Sequence, residues 1–267
     1  MLKTRILTAA ILIGLLLVVI LWLPPFATKI AVAAAVLAGA WEWSAFLRLH
    51  ATSGRIIYVA VVAACLPLLW QLTSAEPARL AVLCLALLWW LMALLWVVFA
   101  PGRASAWSAA LAGLLALAPA WVAMVRLRVD VPRGEQWVLF ALFLVSAADV
   151  GAYFAGRSFG RTKLAPQVSP GKTWEGAAGG LAFAALVALG GSRWFAVPMM
   201  KLVPLCLGVV AFSIVGDLTE SLLKRFAGLK DSGTLFPGHG GVMDRIDSLT
   251  SAMPLLLLGL LVLGVAR

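Results

Sequence analysis

Charged side chains are scarce in this chain. Asp, Glu, Lys and Arg make up only 12% of its 267 residues, against 63% hydrophobic residues and a mean hydropathy of +1.04. Soluble domains carry about 25% charged and about half apolar residues, so this balance excludes them and leaves a polytopic membrane protein. Cysteine is nearly absent: Cys65, Cys84 and Cys206 are odd in number and lie in apolar runs, which excludes a disulfide framework. Acidic residues number 11 against 21 basic ones, for a net charge of +10, yet the basic residues are spread one to four per loop. Without a long basic run, nucleic acid is excluded as a partner. Anionic lipid heads and phosphorylated substrates are expected instead. Linkers, low-complexity tracts and a clear internal repeat are missing too, so residues 1–267 read as one transmembrane domain.

Apolar runs fill the chain, each near the roughly 20 residues that a bilayer requires. They cover 1–23, 26–47, 56–73, 79–99, 106–125, 137–154, 176–192, 202–223 and 246–265. The fold class expected is an all-α polytopic bundle of about nine transmembrane helices, with a polar site in its C-terminal half. The first run follows Lys3 and Arg5 and is longer than a signal-peptide core, so it reads as an uncleaved span. With the N-terminus inside, the inner segments hold thirteen of the 21 basic residues, which favours a cytoplasmic N-terminus. Arg126, Arg128 and Arg133 fall on the outer side and run against that count. Residues 1–133 read as scaffold with lipid or dimer contacts, and 137–267 as the catalytic part.

The densest polar stretch is 221–247, SLLKRFAGLKDSGTLFPGHGGVMDRID. If 203–225 is helical at about 100° per residue, Ser213, Asp217, Glu220, Ser221, Lys224 and Arg225 share a sector of roughly 140°. Asp217 then lies about 10 Å below Lys224, inside the apolar slab. A carboxylate there costs on the order of 2.5–3.5 kcal/mol on insertion scales and is read as functional. Beyond the loop, Asp244, Asp247, Ser248 and Ser251 recur at i, i+3, i+4 and i+7, placing two carboxylates on one stripe. Such a pair repels unless a divalent cation sits between its members, and hard oxygen ligands suit Mg²⁺ that also touches phosphate. Gly238, Gly240 and Gly241 around His239 would let a run of N–H groups face an anion.

Three features precede that stretch. Glu42 lies between Trp41 and Trp43, where the tryptophans read as interfacial anchors and Glu42 as reaching the headgroups. Asp149, Tyr153 and Arg157 recur every four residues as a polar stripe leading out of the sixth span. The segment from Gly156 to Gly176 then carries Arg157, Arg161, Lys163 and Lys172 among helix-stopping glycines and prolines. Thr173-Trp174-Glu175 resembles a capped helix start, and Lys172 beside a helix N-terminus makes a natural phosphate site. Its spacing is not that of a P-loop.

Ser221, Lys224-Arg225, Lys230-Asp231 and His239-Gly240-Gly241 with Asp244, Arg245 and Asp247 resemble, position by position, the signature of the phosphatidate cytidylyltransferases (CDP-diacylglycerol synthases). Asp149, Gly156-Arg157 and the run Ser169 to Gly176 are similar to a second loop of that family. The resemblance implies a bacterial cytoplasmic-membrane enzyme with its site on the cytoplasmic side, and CTP and phosphatidate as substrates. It implies Asp217, Asp244 and Asp247 as holders of one or two divalent cations, Mg²⁺ first, with a monovalent ion such as K⁺ left open. Lys224 and Arg245 join those three in catalysis. Asp149, Arg157, Ser169, Lys172, Ser221, Arg225, Lys230, His239, Gly240 and Gly241 are then substrate-binding. The 155–175 and 225–245 segments are expected to form one site, and Asp244→Asn is expected to stop turnover without harming the fold. Two rival readings are a cation- or proton-coupled transporter and a CTP-dependent polyprenol or dolichol kinase-like enzyme.

Overall fold

The computed structural model describes residues 2–49, 51–235 and 240–266. Among the described residues there are nine helices: α1 (Leu2–Leu21), α2 (Pro25–Trp43), α3 (Thr52–Leu72), α4 (Glu76–Phe99), α5 (Ala106–Asp130), α6 (Gly134–Phe159), α7 (Trp174–Phe195), α8 (Met199–Ala227) and α9 (Met243–Val262). All but α1 are long and apolar enough to cross a membrane, and α1 supplies a shorter apolar stretch, Ala10–Leu21. The expected bundle is therefore present. The polar ends of two runs stay helical as well: α6 reaches Phe159, and α8, 29 residues long, runs through Asp217 and Lys224 to Ala227.

One departure from an all-α chain lies between α6 and α7, where β1 (Lys163–Ala165) and β2 (Ser169–Thr173) pair antiparallel with Lys163 opposite Thr173. The hairpin is held at both ends. Val168 in its turn is buried in the core, and the Thr162 N–H donates to both oxygens of Glu175 in the first turn of α7, at 3.1 and 3.2 Å. Thr173 caps that helix as its sequence implied, accepting from the Gly176 N–H at 3.1 Å.

Helix α5 is the central strut, buried along most of its length from Ala109 to Leu127 and in contact with α2, α3, α4, α6 and α9. It divides the core into a cluster built on α2–α5 and the end of α8, and a second built on α6–α9. Helices α6 and α7 touch backbone to backbone. A Cβ added at Gly151 would come 2.7 Å from the Gly179 carbonyl, and one at Gly180 would come 2.9 Å from the Ala148 carbonyl. The glycines at the start of α7 thus serve close packing, as small residues do between membrane helices.

At one end of the bundle, the α2–α3, α4–α5, α6–α7 and α8–α9 connections gather. Arg48 donates to the Phe226 carbonyl there, and Pro101, Gln167 and Arg225 line a common cavity of about 250 Å³. At the other end, the arginines that ran against the charge count act as clasps between helix termini. Arg126 pairs with Asp130 (2.8 Å), donates to the Trp70 carbonyl (2.6 Å) and stacks on the Trp70 ring. Arg128 donates to the Ile20 carbonyl (2.6 Å), and Arg133 to that of Trp194 (3.0 Å).

Candidate active site

The hairpin brings Lys172 to the long helix α8, where Lys172 Nζ pairs with Asp217 Oδ2 at 2.5 Å. Strand β2 sets this reach, because register with β1 fixes which way residue 172 can lean. Between the two elements lies an open cavity of about 460 Å³, lined by Asp149, Tyr153, Arg157, Lys172, Thr173 and Asp217 among others. That volume is typical of small-molecule sites. The i+4 stripe on α6 therefore forms one wall, with Arg157 Nη1 donating to the Tyr153 hydroxyl at 2.7 Å. Ser221, one turn above Asp217 on α8, donates to Asp217 Oδ1 at 3.3 Å.

Further along α8, Lys224 Nζ donates to Asp244 Oδ1 (2.9 Å) and lies 3.5 Å from Glu220 Oε2, with all three side chains nearly buried. Glu220 is 1% exposed, and neither of its oxygens has a hydrogen-bond partner. Asp247, on the α9 stripe, lies within electrostatic reach of both Asp217 and Glu220. Helices α8 and α9 can approach this closely because residue 216 is glycine, where a Cβ would meet Ser251 Oγ at 2.5 Å. The polar sector expected on α8 thus becomes a continuous seam running from Asp149 through Lys172, Asp217, Glu220 and Lys224 to Asp244.

Asp244 differs from its sequence reading. Its carboxylate does not lie open beside Asp247; it accepts from the Ser232 N–H (3.1 Å), the Gly241 N–H (2.8 Å) and Lys224. The anion faced by the glycine turn is in part the chain's own. Gly240 supplies the positive φ of +79° that this turn needs, and a Cβ there would come 2.5 Å from Asp244 Oδ2. Gly228, at φ +74°, ends α8 and turns the chain into the loop.

Of the other residues singled out, Ser169 lies in β2, while Arg225, Lys230 and Arg245 are at the same end. Arg225 reaches the Leu229 carbonyl at 3.5 Å. His239 lies outside the described residues. The 155–175 and 225–245 segments each pack on α8, through Lys172–Asp217 and Lys224–Asp244, and share the smaller cavity at Gln167 and Arg225, while the larger one is lined by the first segment alone of the two. Glu42 corrects another expectation: it is 7% exposed, and Trp43 beside it is 1% exposed, so neither reaches headgroups. Sequence reasoning placed Glu220 on the polar sector without assigning it to the site, and missed Ser232 entirely. Ser232 had no periodic signal to find it by, since it works only after the loop folds back.

Basic side chains facing an open cavity, with carboxylates packed behind them, suit the binding of phosphates and of a hard cation. The pattern of the Cytidylyltransferase family matches residues 3–263. A Pseudomonas aeruginosa protein named phosphatidate cytidylyltransferase is 42% identical over 261 residues, 95% of each chain. Its Haemophilus influenzae namesake is 40% identical over 283 residues, covering 95% of this chain and 96% of the other. A Bacillus subtilis protein of that name is 42% identical over 125 residues, 46% of each chain. With the pattern running through almost the whole sequence and relatives aligned nearly end to end, the chain belongs to the cytidylyltransferase family and is a membrane-embedded nucleotidyltransferase.

Proposed function

We propose that this enzyme transfers a cytidylyl group from CTP to phosphatidate, giving CDP-diacylglycerol and pyrophosphate. The observation that carries the reading is the Lys172–Asp217 pair, which ties the hairpin to α8 at the mouth of the cavity, one helical turn from Ser221. In this reaction an oxygen of the lipid phosphate attacks the α-phosphorus of CTP. The bond from that phosphorus to the α–β bridging oxygen breaks, and pyrophosphate leaves with the electron pair. A phosphate monoester has a second pKa of about 6, so the attacking oxygen is largely ionised near neutral pH and needs no dedicated base. The chain's task is to hold two polyanions in line, which is the greater part of phosphoryl-transfer catalysis. Arg157 and Lys172 line the cavity and neutralise phosphate there; Arg225, on the second cavity, and Lys230 and Arg245 beyond it add positive charge at the same end of the bundle.

Among the described residues, no three His, Cys, Asp or Glu side chains converge as a ready metal cage. The fit is to Mg²⁺ held by one or two carboxylates and completed by substrate oxygens. Asp217, which lines the cavity, and Asp247, one turn along α9 from Asp244, are the holders proposed, with Glu220 packed behind them against Lys224. Asp244 would join them only on release of its loop donors. Bound there, the ion would supply neutralising charge to the phosphates. Excess EDTA is therefore expected to abolish turnover and Mg²⁺ to restore it; full activity in EDTA would remove the metal from this proposal.

The decisive assay is release of pyrophosphate from CTP by purified protein, with and without phosphatidate. A kinase-like enzyme would instead leave CDP, and a transporter neither. The basic residues of the four gathered connections support a site on the cytoplasmic face of the bacterial inner membrane. Cysteines substituted for Pro166 and Lys230, in a chain with its three cysteines replaced by serine, should react with an impermeant maleimide only from that side. Labelling from outside would overturn the orientation.

A further inference from the structure

Helix α9 begins without a cap of its own, because Val242 offers no polar side chain to its first N–H groups. Glu42, at the far end of α2, supplies one. Its Oε1 accepts from the Val242 N–H at 3.0 Å, and its Oε2 from the Met243 N–H at 2.8 Å and the Ser232 hydroxyl at 3.0 Å. The carboxylate also fills the space in which the loop has no side chains. A Cβ on Gly233 would lie 2.3 Å from Oε1, and one on Gly241 would lie 2.3 Å from Oε2. Ser232 passes the constraint on, since its hydroxyl accepts from the Asp244 N–H (3.2 Å) and its own N–H donates to the Asp244 carboxylate that holds Lys224.

Glu42 itself has little freedom. Trp43 Nε1 donates to the Ala109 carbonyl at 2.8 Å, Arg55 Nε donates to Ser44 Oγ at 2.8 Å, and Trp43 and Tyr58 crowd the space over Gly113. The end of α2 is thus clamped to α3 and α5, and Glu42 projects from a rigid element. We infer that Glu42 is a positioning residue, a template in the N-terminal half around which the loop joining α8 to α9, and with it the Lys224–Asp244 pair at its two ends, takes its working shape. This rests on the proposed cytidylyl transfer for its catalytic consequence only.

The test compares the unsubstituted chain with Glu42→Gln, Glu42→Ala, Gly233→Ala and the Glu42→Ala/Gly233→Ala double variant, all in detergent. Glu42→Gln keeps the shape but turns an N–H donor toward N–H donors, so kcat/KM for CTP with phosphatidate should fall about 100-fold, the cost of a small misplacement. Thermal unfolding should confirm that the variant is folded. Hydrogen exchange at Val242 and Met243 should quicken by about tenfold or more, with the α3–α4 amides unchanged. Gly233→Ala should be similarly impaired alone, yet add nothing in the double variant, because every atom its methyl would strike belongs to Glu42 and is gone there. Additive losses, or wild-type exchange and turnover in Glu42→Gln, would overturn the inference. Absence of pyrophosphate release by the unsubstituted chain would instead sink the functional reading, with the exchange measurement still judging Glu42.

Discussion

Asp217→Asn is expected to lower kcat/KM by roughly 10²–10³-fold, the usual loss when one preorganised electrostatic group is removed from a transferase site. Asn keeps the shape of the side chain and can still accept from Ser221, but the charge that pairs with Lys172 is gone. Both members of that pair are partly exposed, at 28% and 31% of their side-chain surface, so solvent already screens them and little stability depends on them. The fold should therefore survive and the defect should appear in turnover. Pyrophosphate release in proteoliposomes, run beside a thermal unfolding curve, separates the two. Near-normal turnover in a folded Asp217→Asn preparation would take Asp217 out of the site, and with it the metal position proposed there.

Lys224→Met is expected to behave in the opposite way, losing stability first. Lys224 is the cation nearest to Glu220 and Asp244, whose side chains are 1% and 10% exposed, and it is itself only 11% exposed. Removing one partner from a buried ion pair costs about 3–5 kcal/mol, because a charge is left buried without compensation. The unfolding midpoint in detergent should drop accordingly, and Glu220→Gln in the same chain should recover part of the loss. An unshifted midpoint would mean that Lys224 compensates nothing in the folded protein. The same geometry revises the expectation for Asp244→Asn. With three donors already on its carboxylate, that substitution should cost stability as well as turnover.

The spans were legible because a hydrophobic run of bilayer length is rare outside a membrane, and the Asp149–Tyr153–Arg157 stripe was legible because helical spacing alone puts those residues on one wall of the cavity. Strands of three and five residues give no such signal, so the segment bearing Lys172 read as irregular loop. The spacing of Asp244 and Asp247 correctly put both on one helix. It could not say which of them faced open acceptor space, since Asp244's donors come from a loop that folds back over the helix start. Glu42 was visible as an acid within a span, yet its partners lie about 200 residues away, and no periodicity links them.

That separation also sets an order of events during biogenesis. At bacterial synthesis rates of about 5–20 residues per second, roughly 10–40 s pass between the emergence of Glu42 and that of the amides it will bind. Through that interval every partial chain, from the second helix to the eighth, carries the Glu42 carboxylate before the loop and helix amides that receive it are made. Insertion of the ninth helix closes it. Loss of that last helix, by truncation or slow translocation, would leave an acid-bearing intermediate in the membrane, and such an intermediate should be cleared faster by membrane proteases than a Glu42→Met chain truncated at the same point.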